Sequence, residues 1–288
     1  MQTININLDS GRIRPIIEAF EPYSYNQDFT INLSHDSKNR IMVDKYPLLC
    51  SIVNEIRKQG NTCNVNLNSQ GVSSQLDYAE RMGFLSFLGI DYNYQKEKRN
   101  SGGRFIEVRN VNGYYFPDQE LENIFQNDFG LTENQAKDLG VIISEIAINS
   151  HLHSESKGGA ILYCQKYPNQ KFLNLFIIDS GVGFYHAMRL LDKYKILNER
   201  EVFLKAFEFG EGNGKGYGQG LFLVSEFIRR NFGTLRVISG NFMHIIEEKK
   251  SFIFKIPTCY NGVITHLGIP FDINSTINEI MDEQIIQQ

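Results

Sequence analysis

Apolar residues recur along this chain with two different periods, and the period changes from segment to segment. Phe29–Leu33 reads as a strand. Tyr46–Arg57 carries apolar residues at helical spacing and stops before Gly60. Thr62–Leu67 alternates, with Cys63, Val65 and Leu67 on one side, as a half-buried strand does. Leu76–Leu88 returns to the helical period and breaks at Gly89. Alternating strands and helices predict a small α/β layer domain.

The polar stretch Asn93–Arg104 interrupts this pattern and reads as a linker or exposed loop. After it, Phe105–Val111 predicts a strand and Gln119–Phe129 a short helix. Glu133–His153 predicts a longer helix, with Val141, Ile142, Ile146 and Ile148 as apolar positions. Ala160–Gln165 and Phe172–Ile178 are strong strands, while Glu199–Phe209 and Leu221–Phe232 are helical. Leu235–Ile238, Met243–Glu247, Phe252–Ile256 and Val263–Ile269 complete a strand-rich end. This order predicts a helix layer on a mixed sheet. Asn274–Gln288 is polar and is expected to be a loose tail. The 288 residues thus divide into a first domain over 1–92, a connection over 93–118, a second domain over 119–273 and a tail over 274–288.

Composition narrows the function classes. A net charge of −4 lacks the basic stripe of a nucleic-acid binder, and Lys96–Arg99 reads as a solvated loop. Four cysteines show neither metal-knuckle nor redox spacing and are read as reduced thiols. The chain begins without a basic region followed by an apolar block, and no apolar run approaches the ~20 residues of a membrane span. The expectation is a cytoplasmic protein with no membrane contact.

Three segments carry candidate chemistry. In Ser144–His153, Glu145 and Asn149 are four residues apart and share a helix face. A carboxylate there can activate a nucleophile, and an amide oxygen is a hard ligand suited to Mg²⁺. In Phe176–Phe184, an apolar strand delivers Asp179 into a turn with Gly181 and Gly183. Such glycines let a planar ligand approach the backbone, and the acid can accept a hydrogen bond from an exocyclic amine such as that of adenine. From Gly210 to Gly220 glycines alternate, and an amphipathic helix begins at once. Backbone N–H groups at such a helix start form a phosphate site. Lys215 is followed by Gly216 rather than by the Ser or Thr of a P-loop, and no strand immediately precedes the glycines as a dinucleotide fold requires. Taken singly, each segment has an ordinary structural reading: a polar helix stripe, a strand-capping turn, a flexible linker.

Together, in this order and spacing, they resemble the ATP-binding boxes of the histidine-kinase/gyrase/heat-shock-chaperone (GHKL) superfamily. Glu145 and Asn149 match its N box. Asp179, Gly181 and Gly183 match its first glycine box, and Gly216, Gly218, Gly220 and Leu221 its second. The likeness covers roughly residues 119–257 and implies an α/β sandwich that binds ATP and Mg²⁺ under a lid between Gly183 and Gly216. Ser144, Glu145, Asn149 and His153 are similar to the N box of bacterial anti-sigma-factor serine kinases, which implies Glu145 as base and Asn149 as Mg²⁺ ligand. One departure is Lys250-Ser251, which stands before Phe252–Ile256 where the family often has Gly-Thr. Residues 29–90 resemble a STAS domain in element order. Where that family's phosphorylated Ser or Thr opens the first long helix, this chain has Asp44, Lys45, Tyr46 and Pro47, leaving Ser37 or Ser51 as the substitutes. The resemblance implies a slow ATPase or protein serine/threonine kinase-like switch. The alternative is a nucleotide-gated protein-binding module with little turnover. Its protein partner is not named by the sequence, and a homodimer through the STAS-like half is one expected assembly.

Overall fold

The computed structural model describes residues 1–36, 39, 41, 43–70, 73–93, 103–111, 118–211 and 219–286. The linker residues 94–102 therefore lie outside the described residues.

The N-terminal elements are β1 (Gln2–Asn7), α1 (Arg14–Phe20), β2 (Phe29–Asp36), α2 (Lys45–Lys58), β3 (Cys63–Gln70), α3 (Ser74–Arg81) and α4 (Phe84–Leu88). Strands β1, β2 and β3 form a parallel sheet in that order. Ile4, Ile6, Phe29, Ile31 and Leu33 are buried in the core that the helices share. The opposite face is polar, and a ladder crosses it: Asn32 Nδ2 donates to Asn5 Oδ1, and Asn66 Nδ2 to Asn32 Oδ1, each at 3.0 Å. The single helix expected over Leu76–Leu88 is two, because Gly83 at φ +80° turns the chain through the left-handed region. Asp44 precedes α2, and the buried Lys45 ammonium donates to the carbonyls of Leu8 and Ser10, tying α2 to the end of β1.

The rest of the chain supplies β4 (Phe105–Val111), α5 (Asp118–Asn123), α6 (Glu133–His153), β5 (Ala160–Tyr167), β6 (Phe172–Asp179), α7 (Gly183–Met188), α8 (Glu199–Lys205), α9 (Gly220–Arg230), β7 (Thr234–Glu247), β8 (Lys250–Pro270) and α10 (Ile277–Ile286). Five strands pair in the order β4-β5-β6-β8-β7. Every pairing is antiparallel, so the sheet is not the mixed one expected. The reason is the connections: β5–β6 and β7–β8 are hairpins, and the last part of β8 lies antiparallel between β6 and the first part of β7. The four short strands expected after α9 are two long ones, with register shifts about Gly240.

Two cores sandwich this sheet. On one face Leu162, Leu175, Ile177, Val237 and Leu267 meet α6 and α9. On the other, Ile161, Tyr163, Phe176, Ile178, Tyr260 and Ile264 share a core with the N-terminal layer, and α2 lies against β5 and β6. Nearly every residue of α2 from Lys45 to Ile56 is buried, so its polar side chains Lys45, Ser51 and Glu55 are hydrogen-bonded inside the fold. Among the described residues no helix is long and apolar enough to cross a membrane.

The expected loose tail is a docked helix. Ile277 and Ile280 enter the α6/α9 core. Asn231, 1% exposed, receives the N–H groups of Asn274 and Ser275 on Oδ1 at 2.6 and 2.8 Å, and its Nδ2 donates to Ser275 O at 2.8 Å and Phe227 O at 3.0 Å. Truncating that side chain removes four hydrogen bonds, three of them to the segment that leads into α10. Asn231→Ala is expected to lower stability by roughly 2–4 kcal/mol, read from the urea midpoint, and to release α10 to proteolysis before global unfolding.

Candidate functional site

Helix α6 begins at a capping box. Gln135 N donates to Thr132 Oγ1 at 3.3 Å, and Thr132 N donates to Gln135 Oε1 at 2.9 Å. From that fixed start, Glu145 and Asn149 project one turn apart from one side. The first turn of α9 comes down on the same side. Gly220 is buried there, and a Cβ built on it would stand 2.5 Å from Glu145 Oε2 and 3.1 Å from Asn149 Nδ2. The last of the alternating glycines therefore rests on the Glu145–Asn149 face, and a side chain there would have to displace the Glu145 carboxylate. Leu221 is half-buried in the first turn of α9. Gly216 and Gly218 lie outside the described residues. Burial raises the Glu145 carboxyl above its ordinary value. His153 stands in the last turn of α6.

Asp179 ends β6 at 4% exposure. Gly181 N donates to its Oδ1 at 3.0 Å, and Val263 N also donates to the carboxylate. Burial outweighs these donors, the charge of Glu55 adds to it, and the carboxyl is pushed up to about 7. Gly181 packs against the Ser154 carbonyl with no room for a side chain, and Val182 N donates to that carbonyl at 2.7 Å. Gly183 takes φ +70°, and Phe184 N donates to Ser239 Oγ at 3.0 Å. Through Ser154 the Asp179 turn is thus attached to the end of α6, and the two motifs share one wall.

Sequence reasoning missed several residues of this wall. Ser150, next to Asn149, brings its hydroxyl beside the Asp179 carboxylate. Thr265 pairs with Ile177 and so shares the face of Asp179. The Thr265 hydroxyl is buried with no hydrogen-bond partner among the described residues. The place expected for Lys250-Ser251 is taken by Gly262-Val263. Gly262, at φ +140°, packs against the Asp179 carbonyl, and Val263 pairs with Asp179. Ser251 lies far along β8, paired with Ile246 and bonded to His244 Nε2 at 2.7 Å. The signal for this was the glycine just before the Val263–Ile269 run.

Residues 184–211 bridge the two glycine motifs, and they carry their own apolar contacts. Met188, Tyr194 and Val202 form a small core, and Phe184, Phe203, Phe207 and Phe242 stack in a chain with ring centroids 5.4–6.0 Å apart. Glu211 receives Lys193 Nζ at 2.6 Å and the Tyr194 hydroxyl, and these partners pull its carboxyl down to about 2.

A second polar cluster lies at the carboxyl end of the parallel sheet, in a cavity lined by Asn7, Asp9, Ser34, His35, Asp36 and Asn68. His35 Nδ1 sits 2.6 Å from Asp9 Oδ1 and its Nε2 2.7 Å from Ser73 Oγ. The order mimics a hydrolase triad, but Ser73 is 1% exposed and its oxygen accepts the N–H groups of Gln75 and Leu76 at the start of α3. It is a clamp joining β1, β2 and α3, because a nucleophile needs an open approach. Ser51 is 2% exposed and hydrogen-bonded between the layers, so it offers no hydroxyl to a kinase. Ser37 lies outside the described residues.

The raised Asp179 carboxyl gives a stability signature. Between the unfolded value near 4 and about 7, the folded chain keeps a proton that the unfolded chain has released. The fold therefore loses stability as pH rises through that window. Asp179→Asn keeps an acceptor for the two N–H groups and removes the titration. Its urea midpoint is expected to gain on the parent's from pH 4 to 7, by up to about 3–4 kcal/mol, and then to run parallel.

No family model, curated protein or solved structure matches this chain.

Proposed function

We propose that the chain is a Mg²⁺-dependent ATP-binding protein of the GHKL type, acting as a slow ATPase or as a protein serine/threonine kinase-like switch. The observation that carries this reading is convergence: Gly220 rests on Glu145 and Asn149, while the Asp179 turn is bonded to the end of the same helix. Gly220, the Glu145–Asn149 face and the Asp179 turn, far apart in sequence, meet at one wall. In this reading the all-antiparallel sheet with α6 and α9 is the nucleotide-binding sandwich, the N-terminal layer is its STAS-like companion, and 184–211 is the lid.

Each residue then has a task. Gly181 N holds the Asp179 Oδ1 oxygen, and the carboxylate accepts the adenine 6-amino group. The N-terminus of α9 faces the phosphates with its backbone N–H groups. Asn149 would hold Mg²⁺ by its amide oxygen, with the phosphates supplying further ligands. Mg²⁺, when bound, neutralises charge on the phosphates. Glu145 takes the proton from the attacking water or protein hydroxyl. That oxygen bonds to the γ-phosphorus as the bond to the bridging oxygen breaks and ADP leaves. Burial keeps Glu145 a stronger base than an exposed carboxylate.

A nucleotide-gated binding module with little turnover is the second reading. It is favoured by the buried hydrogen bonds between α2 and the Asp179 turn, which give the N-terminal layer a direct contact with the site. Turnover separates the two. Calorimetry should show Mg²⁺-dependent ATP binding by the parent. Asp179→Asn turns an amide N–H₂ toward the adenine amine and should bind ATP about 10–100-fold more weakly; unchanged affinity would remove the adenine assignment. Glu145→Ala should keep affinity within a few-fold and lose roughly 10²–10⁴ in phosphate release. Parent turnover no faster than that of Glu145→Ala would select the binding module.

A further inference from the structure

Helix α2 belongs to the N-terminal layer, yet one face of it is built into the Asp179 turn. Ser51 and Glu55 lie one helical turn apart and project together. Ser51 Oγ donates to the Ile178 carbonyl at 3.2 Å and sits 2.8 Å from Ser180 Oγ. Ser180 Oγ is 2.9 Å from the Tyr260 hydroxyl, which donates to the Asp179 carbonyl at 2.8 Å. All three hydroxyl residues are at most 3% exposed. This buried chain of hydroxyls fixes the backbone on both sides of the Asp179 carboxylate, and in that environment each bond is costly to break.

Glu55 holds the other side of the turn. It is 3% exposed. Its Oε2 accepts Ser156 Oγ at 2.5 Å and Gly158 N at 2.7 Å, and its Oε1 accepts Gln59 Nε2 at 2.6 Å and Lys157 N at 3.3 Å. Asn54 Nδ2 adds a bond to the Gly158 carbonyl at 2.6 Å. The loop so held runs from α6 to β5, and its first residue, Ser154, carries the carbonyl on which Gly181 and Val182 rest. A Cβ at Gly158 would stand 2.9 Å from Glu55 Oε2 and 3.0 Å from Glu55 N, so the contact admits no side chain between loop and helix. A carboxylate this deeply buried is stable only while the loop's donors stay in place. The strength of the contact and the position of the loop are therefore one property.

We propose that Ser51 and Glu55 are positioning residues for the adenine end of the nucleotide site, and that α2 is the element through which the N-terminal layer and nucleotide occupancy control one another. The proposal rests on the ATP reading above. Coupling of this kind is reciprocal: whatever displaces α2 weakens ATP, and ATP, by fixing the turn, holds α2. What the N-terminal layer supplies to the site is then geometry rather than a phosphorylated hydroxyl.

The test uses the full chain with Ser51→Ala and Glu55→Gln. Leu33→Val is the control, destabilising the same N-terminal core without touching the α2 face that meets the turn. At a temperature where urea titration shows all variants folded, Ser51→Ala and Glu55→Gln should each weaken ATP about 5–20-fold, with kcat at saturating ATP within about twofold of the parent. Leu33→Val should leave affinity unchanged, and combining Glu55→Gln with Asp179→Asn should cost less than the product of the two single effects. Hydrogen exchange supplies an arm independent of nucleotide. The amides of Gly158, Gly181 and Val182 should exchange faster in Ser51→Ala and Glu55→Gln than in Leu33→Val. If the parent binds ATP and both variants bind it as tightly, the positioning role is overturned. If the parent binds no ATP, the nucleotide reading fails, and the exchange arm decides: unchanged protection at those amides overturns the role of α2 as well.

Discussion

Strand β6 is buried on both faces, and that constraint governs the rest of the structure. Phe176 and Ile178 point into the core shared with the N-terminal layer, while Leu173, Leu175 and Ile177 point into the core under α6 and α9. From Leu175 to Ile178 the strand is wholly apolar, and it ends on a carboxylate, Asp179. An acid delivered to such a place has little water to solvate it. It must take backbone N–H groups, keep its proton, or meet a ligand. Asp179 does the first through Gly181 and Val263, and its carboxyl titrates near 7 rather than 4, so it remains poised for the third.

The glycines follow from the same crowding. Gly181 lies on the Ser154 carbonyl, Gly262 on the Asp179 carbonyl and Gly220 on Glu145. These are points where strand, turn and helix approach so closely that a methyl group would separate them. Gly181, Gly220 and Gly262 allow α6, the Asp179 turn and α9 to close into one wall. Two layers of apolar contact hold that wall from behind, so a site made of loop and helix ends stands on rigid supports.

The N-terminal layer is part of this support. Removing it would uncover Ile161, Tyr163, Phe176, Ile178 and Ile264 on the face of the five-stranded sheet. Its own outward sheet face is closed to further apolar packing by the asparagine ladder, which leaves the inner face as its cohesive surface. The bonds of Ser51 and Glu55 add direction to that contact: apolar packing alone holds two layers together, whereas buried hydrogen bonds fix how they sit.

Much of this was legible in the sequence. Periodicity located α2, α6, β4, β5 and β6 to within a few residues, because each is long and either amphipathic or wholly apolar. Glu145 and Asn149 share a face by the arithmetic of the helix, and Asp179 follows its strand into a turn by the order of residues alone. Other features depended on tertiary contacts. Gln2–Asn7 and Arg14–Phe20, which the sequence reading does not assign, gain their structure from the parallel pairing with β2 and the packing of α1 on β8. Asn274–Ile286 is polar enough to read as a tail, yet the Asn231 amide and two buried isoleucines dock it. Thr265 and Gly262 reach the Asp179 wall only because β8 folds back beside β6. Ser51 and Glu55 reach it only because α2 crosses to the other half of the chain. Sequence determined which residues could do chemistry, since spacing within one helix or one turn is local. The fold decided which of them meet, since contacts across a hundred residues are set by which apolar faces must be buried together.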